Sequence, residues 1–282
     1  MMNKNLSILI VGLGLIGGSY AKGLKKQGFR VFALDNNPES IEYALKHHII
    51  DEGSTDSIAL IQKADVIISA LYPQVMIKWI KNNQVYFKKN IYITDVSGVK
   101  QNVVDVIQSF LRDDVEFISA HPMAGREVYG VQNSDESIFN KANYIVTPTD
   151  KNTPKGIAFA KELGETLNFA RISELSLKEH DKMIGFLSQL THVIAVSLMN
   201  TMDNTHLKEY TGDSFRDLTR IAKINENLWS ELFFLNKDFL LEEIEAFEAE
   251  LDHFKQTLHD NDIDEMKRLF IQSTNRRKEF DK

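Results

Sequence analysis

The feature that most constrains this chain stands near its beginning. An apolar run of strand length, Ser7 to Val11, ends directly in Gly12-Leu13-Gly14-Leu15-Ile16-Gly17. A helical pattern follows at once, with apolar or small Leu15, Ile16, Tyr20, Ala21 and Leu24, and with Lys22, Lys25 and Lys26 facing away. Strand, Gly-x-Gly-x-x-Gly and helix in that order form the context of a dinucleotide-binding turn. Gly12 permits the tight turn, Gly14 lets backbone approach a pyrophosphate, and Gly17 lets helix and strand pack closely. The unpaired N–H groups at the helix start then face the diphosphate. Glycine turns also occur in other α/β units, so a second signal is needed. The next apolar segment, Arg30 to Leu34, supplies it by ending in Asp35, about 20 residues downstream, where a carboxylate accepts from ribose hydroxyls. Neither Asn36 nor Asn37 offers the positive charge that a 2′-phosphate wants, so NAD is the expected cofactor rather than NADP.

The rest of the first half keeps the same alternation. Strand-like runs at Ala64–Leu71, Ile91–Asp95, Glu116–Ala120, Tyr144–Pro148 and Phe169–Ile172 are separated by helical patterns, which reads as a mostly parallel, doubly wound sheet. From Ser176 the pattern is helical, in stretches at His180–Asn200, Leu228–Leu258 and Ile263–Lys278. No Gly or Pro follows Gly212, so these helices are expected to run unbroken. The fold class is therefore α/β plus α: an N-terminal Rossmann-type domain over residues 1–172 and an all-helical domain over 173–282. The helical part is expected to close over substrate and to form a homodimer.

Composition narrows the partners. A net charge of −7 argues against nucleic acid and anionic membranes, so an anionic substrate needs a local basic pocket. There is no cysteine, which removes disulfides, thiolate catalysis and Cys-type zinc sites. No HExxH-like pattern occurs, and no metal is expected. No apolar stretch is read as approaching the ~20 residues of a membrane span, so a cytoplasmic location is expected.

Candidate chemistry sits where loops leave strand ends. Asp95-Val96-Ser97-Gly98-Val99-Lys100 follows one strand, and Ser97 there also suits a helix N-cap. Asp95 joins Gly12, Leu13, Gly14, Leu15, Ile16, Gly17 and Asp35 as a candidate cofactor contact. His121, at a later strand end and held by Pro122, is a candidate general base because its pKa lies near neutrality. His180 and His192 fall on the long helical segment, and one helix face is expected to carry both. Arg216 and Arg220 stand four residues apart, and a guanidinium fork suits a carboxylate.

These motifs together resemble the prephenate dehydrogenase family over nearly the whole chain. The resemblance rests on Gly12 to Ser19, Asp95 to Lys100, His121-Pro122-Met123-Ala124-Gly125, Ser188 to His192, and Asp217-Leu218-Thr219-Arg220-Ile221-Ala222 followed by Trp229. It implies NAD-dependent oxidative decarboxylation of prephenate to 4-hydroxyphenylpyruvate, a step of tyrosine biosynthesis. By resemblance His121 is the base on the ring hydroxyl. Ser97 hydrogen-bonds that hydroxyl and helps orient His121, and Arg220 binds a substrate carboxylate. His192, Glu127, Arg216 and Gln189 belong to the substrate pocket, with Trp229 as a wall. The family often has Ser-His-Leu-Pro-His where this chain has Ser188-Gln189-Leu190-Thr191-His192, and often a lysine at the position of Arg216. Three alternatives stay open: the same fold acting on arogenate, a two-domain hydroxy-acid dehydrogenase with Lys182 as its base, and a non-catalytic NAD-sensing protein, which would not need His121, Ser97 and Arg220 together.

Overall fold

A computed structural model of the chain describes residues 2–203 and 206–280. Six parallel strands form its main sheet: β1 (Ser7–Val11), β2 (Arg30–Leu34), β3 (Glu52–Ser54), β4 (Val66–Ser69), β5 (Ile91–Asp95) and β6 (Val115–Phe117). Their order is β3-β2-β1-β4-β5-β6. The central strands carry apolar side chains on both faces, and Ile8, Leu9, Ile10, Val66, Ile67 and Ile68 are all fully buried. That is the pattern of a parallel sheet covered by helices on both sides. The order reverses between β1 and β4, which opens a crevice beyond their carboxyl ends. The polar edge strand β3 has no strand-like signal of its own; it exists through pairing with β2.

The expected strand Glu116–Ala120 is two strands in two sheets. β6 ends at Phe117, the Ile118 N–H still bonds the Ile93 carbonyl at 2.9 Å, and the chain then leaves the main sheet. β7 (Ser119–Pro122) pairs antiparallel with β8 (Asn143–Thr147), which pairs parallel with β9 (Arg171–Glu174). Asp95 sits at the switch. Its Oδ1 accepts from the Ser119 hydroxyl at 2.6 Å and the Ala120 N–H at 3.2 Å. The turn out of the sheet thus places His121 beside the carboxyl end of β5.

The helical half begins with a capping box, Ser176 with Glu179, and one continuous helix runs from Leu177 to Asn200. It has a mean hydropathy of 1.4, long and apolar enough to cross a membrane by length and composition alone. This corrects the expectation that no stretch reaches that length. Between Gly185 and Leu190 the helix widens into π turns. In a straight α-helix, residues twelve apart stand about a third of a turn from each other. The wide turns absorb roughly one extra residue, which brings His192 back toward the face of His180.

The stretch expected to run unbroken from Leu228 to Leu258 divides at Asn236, between helices Glu226–Leu235 and Lys237–His259. No Gly or Pro is required. The Asn236 side chain donates to the Asp181 carbonyl at 2.9 Å and to Gln189 Oε1 at 2.7 Å, and its backbone turns at φ −119°. The chain forms two compact units, Met1–Asn236 and Lys237–Lys282. The first holds both sheets, the long helix and the Glu226–Leu235 helix. The second holds helices Lys237–His259 and Ile263–Arg277, joined by a ring contact of Phe254 with Phe270 and by His253 paired to Glu265.

Candidate active site

The glycine turn after β1 shows why each glycine is there. Gly12 has φ +98°, and a Cβ on it would lie 2.7 Å from the Ala70 carbonyl oxygen. A Cβ on Gly17 would meet the Gly12 oxygen at 1.9 Å, so helix and turn touch backbone to backbone. Gly14 is different: nothing lies within 4 Å of where its Cβ would be, and it is exposed. The helix Leu15–Lys26 that follows has no capping side chain and no acid in its first turn, so its N-terminal N–H groups are free for an anion. Asp35, at the end of β2, reaches back to accept from the Leu13 N–H at 2.6 Å and also takes the Asn37 N–H at 2.8 Å. Free helix N–H groups, open space over Gly14 and a carboxylate at the next strand end fit a dinucleotide. Leu13 and Leu15 are buried and Ile16 half-buried, so these three contribute backbone and packing more than exposed side chain.

Asp95 is not free to contact a cofactor. It is fully buried and carries four donors: Ser97 N–H (2.9 Å), Ser119 Oγ, Ala120 N–H and the Lys100 ammonium (2.9 Å). Lys100 is fully buried too, and its second donation goes to the Ala120 carbonyl at 2.7 Å. Burial pulls the Lys100 pKa down, while the Asp95 carboxylate draws it back up. The sequence offered Asp95 as a strand-end acid, and the fold uses it as an internal counter-ion.

His121 projects from β7 into this neighbourhood. Its Nδ1 lies 2.9 Å from His180 Nε2, and His180 Nδ1 lies 2.7 Å from Asp181 Oδ1. Asp181 also holds the start of the helix Gln101–Phe110, accepting Lys100 N–H at 2.8 Å and Gln101 N–H at 2.7 Å. Ser97 is therefore not that helix's cap. Its hydroxyl instead bonds within its own loop, to the Val99 carbonyl at 3.1 Å and from the Val99 N–H at 3.4 Å. Among the described residues the ring partner of His121 is His180, while the Ser97 hydroxyl is engaged with Val99. Burial first, then the charges of His180 and Lys100, hold the His121 pKa well below the ordinary histidine range. Burial also lowers His180, although the Asp181 carboxylate opposes it.

A second group lies on the helical side. His192 donates Nδ1–H to the Ser188 carbonyl at 2.9 Å and stacks on Trp229 with ring centroids 3.6 Å apart. Burial lowers its pKa, and Glu127 and Arg220 are close enough to bias it in opposite directions. Arg220 itself is exposed and paired with Glu127. Two expected members do not join them. Gln189 is buried with both ends of its amide used, donating to the Leu232 carbonyl at 3.0 Å and accepting from Asn236. Arg216 bonds the Thr211 carbonyl and pairs with Asp213. It lines a separate cavity of about 810 Å3 with Met199, Met202, Phe215, Ala222 and Lys223, outside which His121 and Arg220 lie. An i, i+4 spacing puts two arginines on one side only while the helix continues, and here the α-helix ends at Thr219 in a tighter turn.

Sequence reasoning left Asp181 unassigned and gave His180 no role toward His121. Adjacent residues on a helix do not face each other, so the His180–Asp181 pair has no spacing signal. Among the described residues no cluster of three or more metal-ligating side chains exists.

A dinucleotide-ready crevice with a hydrogen-bonded histidine pair beside it, His180 buried and His121 half-buried, defines a two-part, nucleotide-dependent dehydrogenase. Residues 20–173 match the family model of the prephenate dehydrogenase nucleotide-binding domain, and residues 176–272 match that of the prephenate dehydrogenase dimerization domain. The chain belongs to the prephenate dehydrogenase family. It is 32% identical to the prephenate dehydrogenase of Bacillus subtilis over 94% of this chain and 73% of that one. It is 28% identical to the cyclohexadienyl dehydrogenase of Zymomonas mobilis, covering 94% and 93%. The crystal structure of prephenate dehydrogenase from A. aeolicus, in complex with hydroxyphenyl propionate and NAD+, superimposes with a TM-score of 0.91 at 30% identity, covering 99% of this chain and all of that one.

Proposed function

We propose that this chain catalyses the NAD-dependent oxidative decarboxylation of prephenate to 4-hydroxyphenylpyruvate, with His121 as general base. The observation that carries the assignment of the base is the hydrogen-bonded His121–His180 pair at the end of β7, next to the crevice that the glycine turn opens. NAD is held by the backbone of Gly12 to Gly17 and by Asp35, and when bound it supplies the hydride acceptor. His121 takes the proton of the ring hydroxyl, and its lowered pKa keeps it unprotonated for that purpose at neutral pH. Loss of carbon dioxide makes the ring aromatic, a driving force that asks no metal of the site. Ser97, in the Asp95–Lys100 loop, turns its hydroxyl from Val99 to the substrate in this reading. Arg220 receives a substrate carboxylate once Glu127 releases it, and His192 on Trp229 walls the pocket.

In this reading residues 1–172 bind the dinucleotide, while 173–282 close the site and carry the homodimer contact. Exposed Phe186, Leu187 and Met199 on the long helix suit such an interface better than a lipid bilayer, since the same helix buries His180 and Asp181. Biosynthetic chemistry with NAD supports a cytoplasmic location. Sedimentation should give twice the chain mass of 32.3 kDa; a monomer overturns the interface.

A second reading, arogenate as substrate, is favoured by the likeness to a cyclohexadienyl dehydrogenase. The hydroxy-acid dehydrogenase reading fares worse, because Lys182 is exposed. The test offers prephenate and arogenate with NAD and with NADP and follows nicotinamide reduction. Prephenate with NAD is expected to react fastest; no turnover of either cyclohexadiene refutes the proposal.

A further inference from the structure

We propose that Asp181 and His180 form a positioning relay that fixes His121 in the one neutral tautomer able to accept a proton. The inference rests on His121 being the base.

Asp181 sets the proton positions from the carboxylate outward. An ionised carboxylate only accepts hydrogen bonds. Asp181 Oδ1, 2.7 Å from His180 Nδ1, therefore requires the proton of His180 on Nδ1. His180 Nε2 is then bare. It lies 2.9 Å from His121 Nδ1, so that nitrogen must be the one that carries the proton. What remains is His121 Nε2, unprotonated and free to take a proton from substrate. Neutral imidazole in water prefers the opposite arrangement, with the proton on Nε2, and in that form the bare nitrogen, Nδ1, would face His180 instead of substrate. The relay thus reverses an intrinsic preference.

The anchoring makes this more than a fortuitous contact. The Asp181 carboxylate cannot rotate, because Lys100 N–H and Gln101 N–H hold its two oxygens at the start of a helix. His180 is fully buried, so water cannot replace it as the acceptor. The charged and titratable groups around the pair are Lys100 and Asp95 from the β5 side and Asp181 from the long helix. When His121 gains its proton, the Asp181 carboxylate lies behind the new cation at the far end of the relay and Lys100 opposes it. Asp181 touches neither cofactor nor substrate in this scheme and acts only through His180.

The test reads the tautomer directly, by 15N–1H correlation of the histidine rings in the free protein at neutral pH. In the unaltered protein His121 is expected to show a protonated Nδ1 and a bare Nε2. His180→Leu removes the acceptor and should shift His121 toward the Nε2-protonated form, lowering kcat roughly 10–1000-fold while KM for NAD changes less than about twofold. His180→Gln places an amide oxygen near the position of Nε2 and should restore both the tautomer and most of kcat. Asp181→Leu, which removes the acceptor for His180 Nδ1–H, should behave as His180→Leu does. A wild-type His121 with its proton on Nε2 overturns the relay, whether or not the variants fold. So does a His180→Leu protein that keeps tautomer and kcat, or a His180→Gln protein as impaired as the leucine one. An unaltered protein inert toward prephenate refutes the proposed function instead, and the ring spectra then judge the tautomer by themselves.

Discussion

Replacing Lys100 by Met would test whether the interior of this site is held by charge. The Lys100 side chain is completely buried, and its ammonium is the sole cation among the four donors to the buried Asp95. Methionine matches its length but leaves that carboxylate without a counter-charge and the Ala120 carbonyl without its lysine donor. Removing one partner of a buried pair costs about 3–5 kcal/mol. The three remaining donors, Ser97 N–H, Ser119 Oγ and Ala120 N–H, keep the figure from the upper end. A unit the size of Met1–Asn236 has an unfolding entropy near 0.5 kcal/mol/K, so the melting temperature should fall by roughly 6–8 °C. Thermal unfolding followed by circular dichroism measures it. Adding Asp95→Asn should recover a good part of the loss, because the uncompensated charge is then gone. Loss of the Lys100 charge also lets the His121 pKa rise, moving the acid limb of kcat/KM to higher pH. A fall below about 2 °C, or a double variant as unstable as the sum of the singles, would refute the reasoning.

Arg220→Gln should raise KM for prephenate roughly 10–100-fold with KM for NAD unchanged, as steady-state kinetics would show; the exposure of Arg220 and its pairing with Glu127 keep the effect below that of a closed ion pair. Asp35→Ser with Asn36→Arg should shift preference toward NADP, read as the ratio of kcat/KM for the two cofactors, and an unchanged ratio would exclude Asp35 as the ribose-side acid. His121, His180 and His192 all have pKa values lowered by burial, so the folded protein resists protons that the unfolded chain accepts. Their contribution to stability is present above about pH 6.5 and is lost as pH falls below it toward the folded values; melting temperatures at pH 7.5 and 5.5 should differ, and equal values would contradict the burial of neutral histidines.

The parts of this fold that repeat a local pattern were legible in the chain. Strand, glycine turn and helix at Ser7–Lys26, the acid at Asp35 and the histidine at a strand end are each set by neighbouring residues. The parts that escaped depend on partners remote in sequence. Asp95 read as a strand-end acid offered to a cofactor, because nothing near it announces that Ser119 and Ala120 will arrive as donors. Gln189 stands between candidate residues, yet its amide is consumed by Leu232 and Asn236. Asn236 ends a helix without glycine or proline by bonding to Asp181 and Gln189, residues some fifty positions earlier. His180 and Asp181 were visible as letters, but their meaning comes from β7 leaving the main sheet one residue after Ile118.

The central claim is that His121 removes the substrate proton, and the most direct measurement is kcat of His121→Asn against its pH dependence. Asparagine keeps a polar side chain of similar reach and accepts no proton at its amide nitrogen. The expected result is a kcat lower by roughly 10²–10⁴-fold, KM changed little, and the acid limb of kcat/KM abolished. A variant that keeps near-normal kcat, or the same acid limb, would contradict it and make His121 a structural residue.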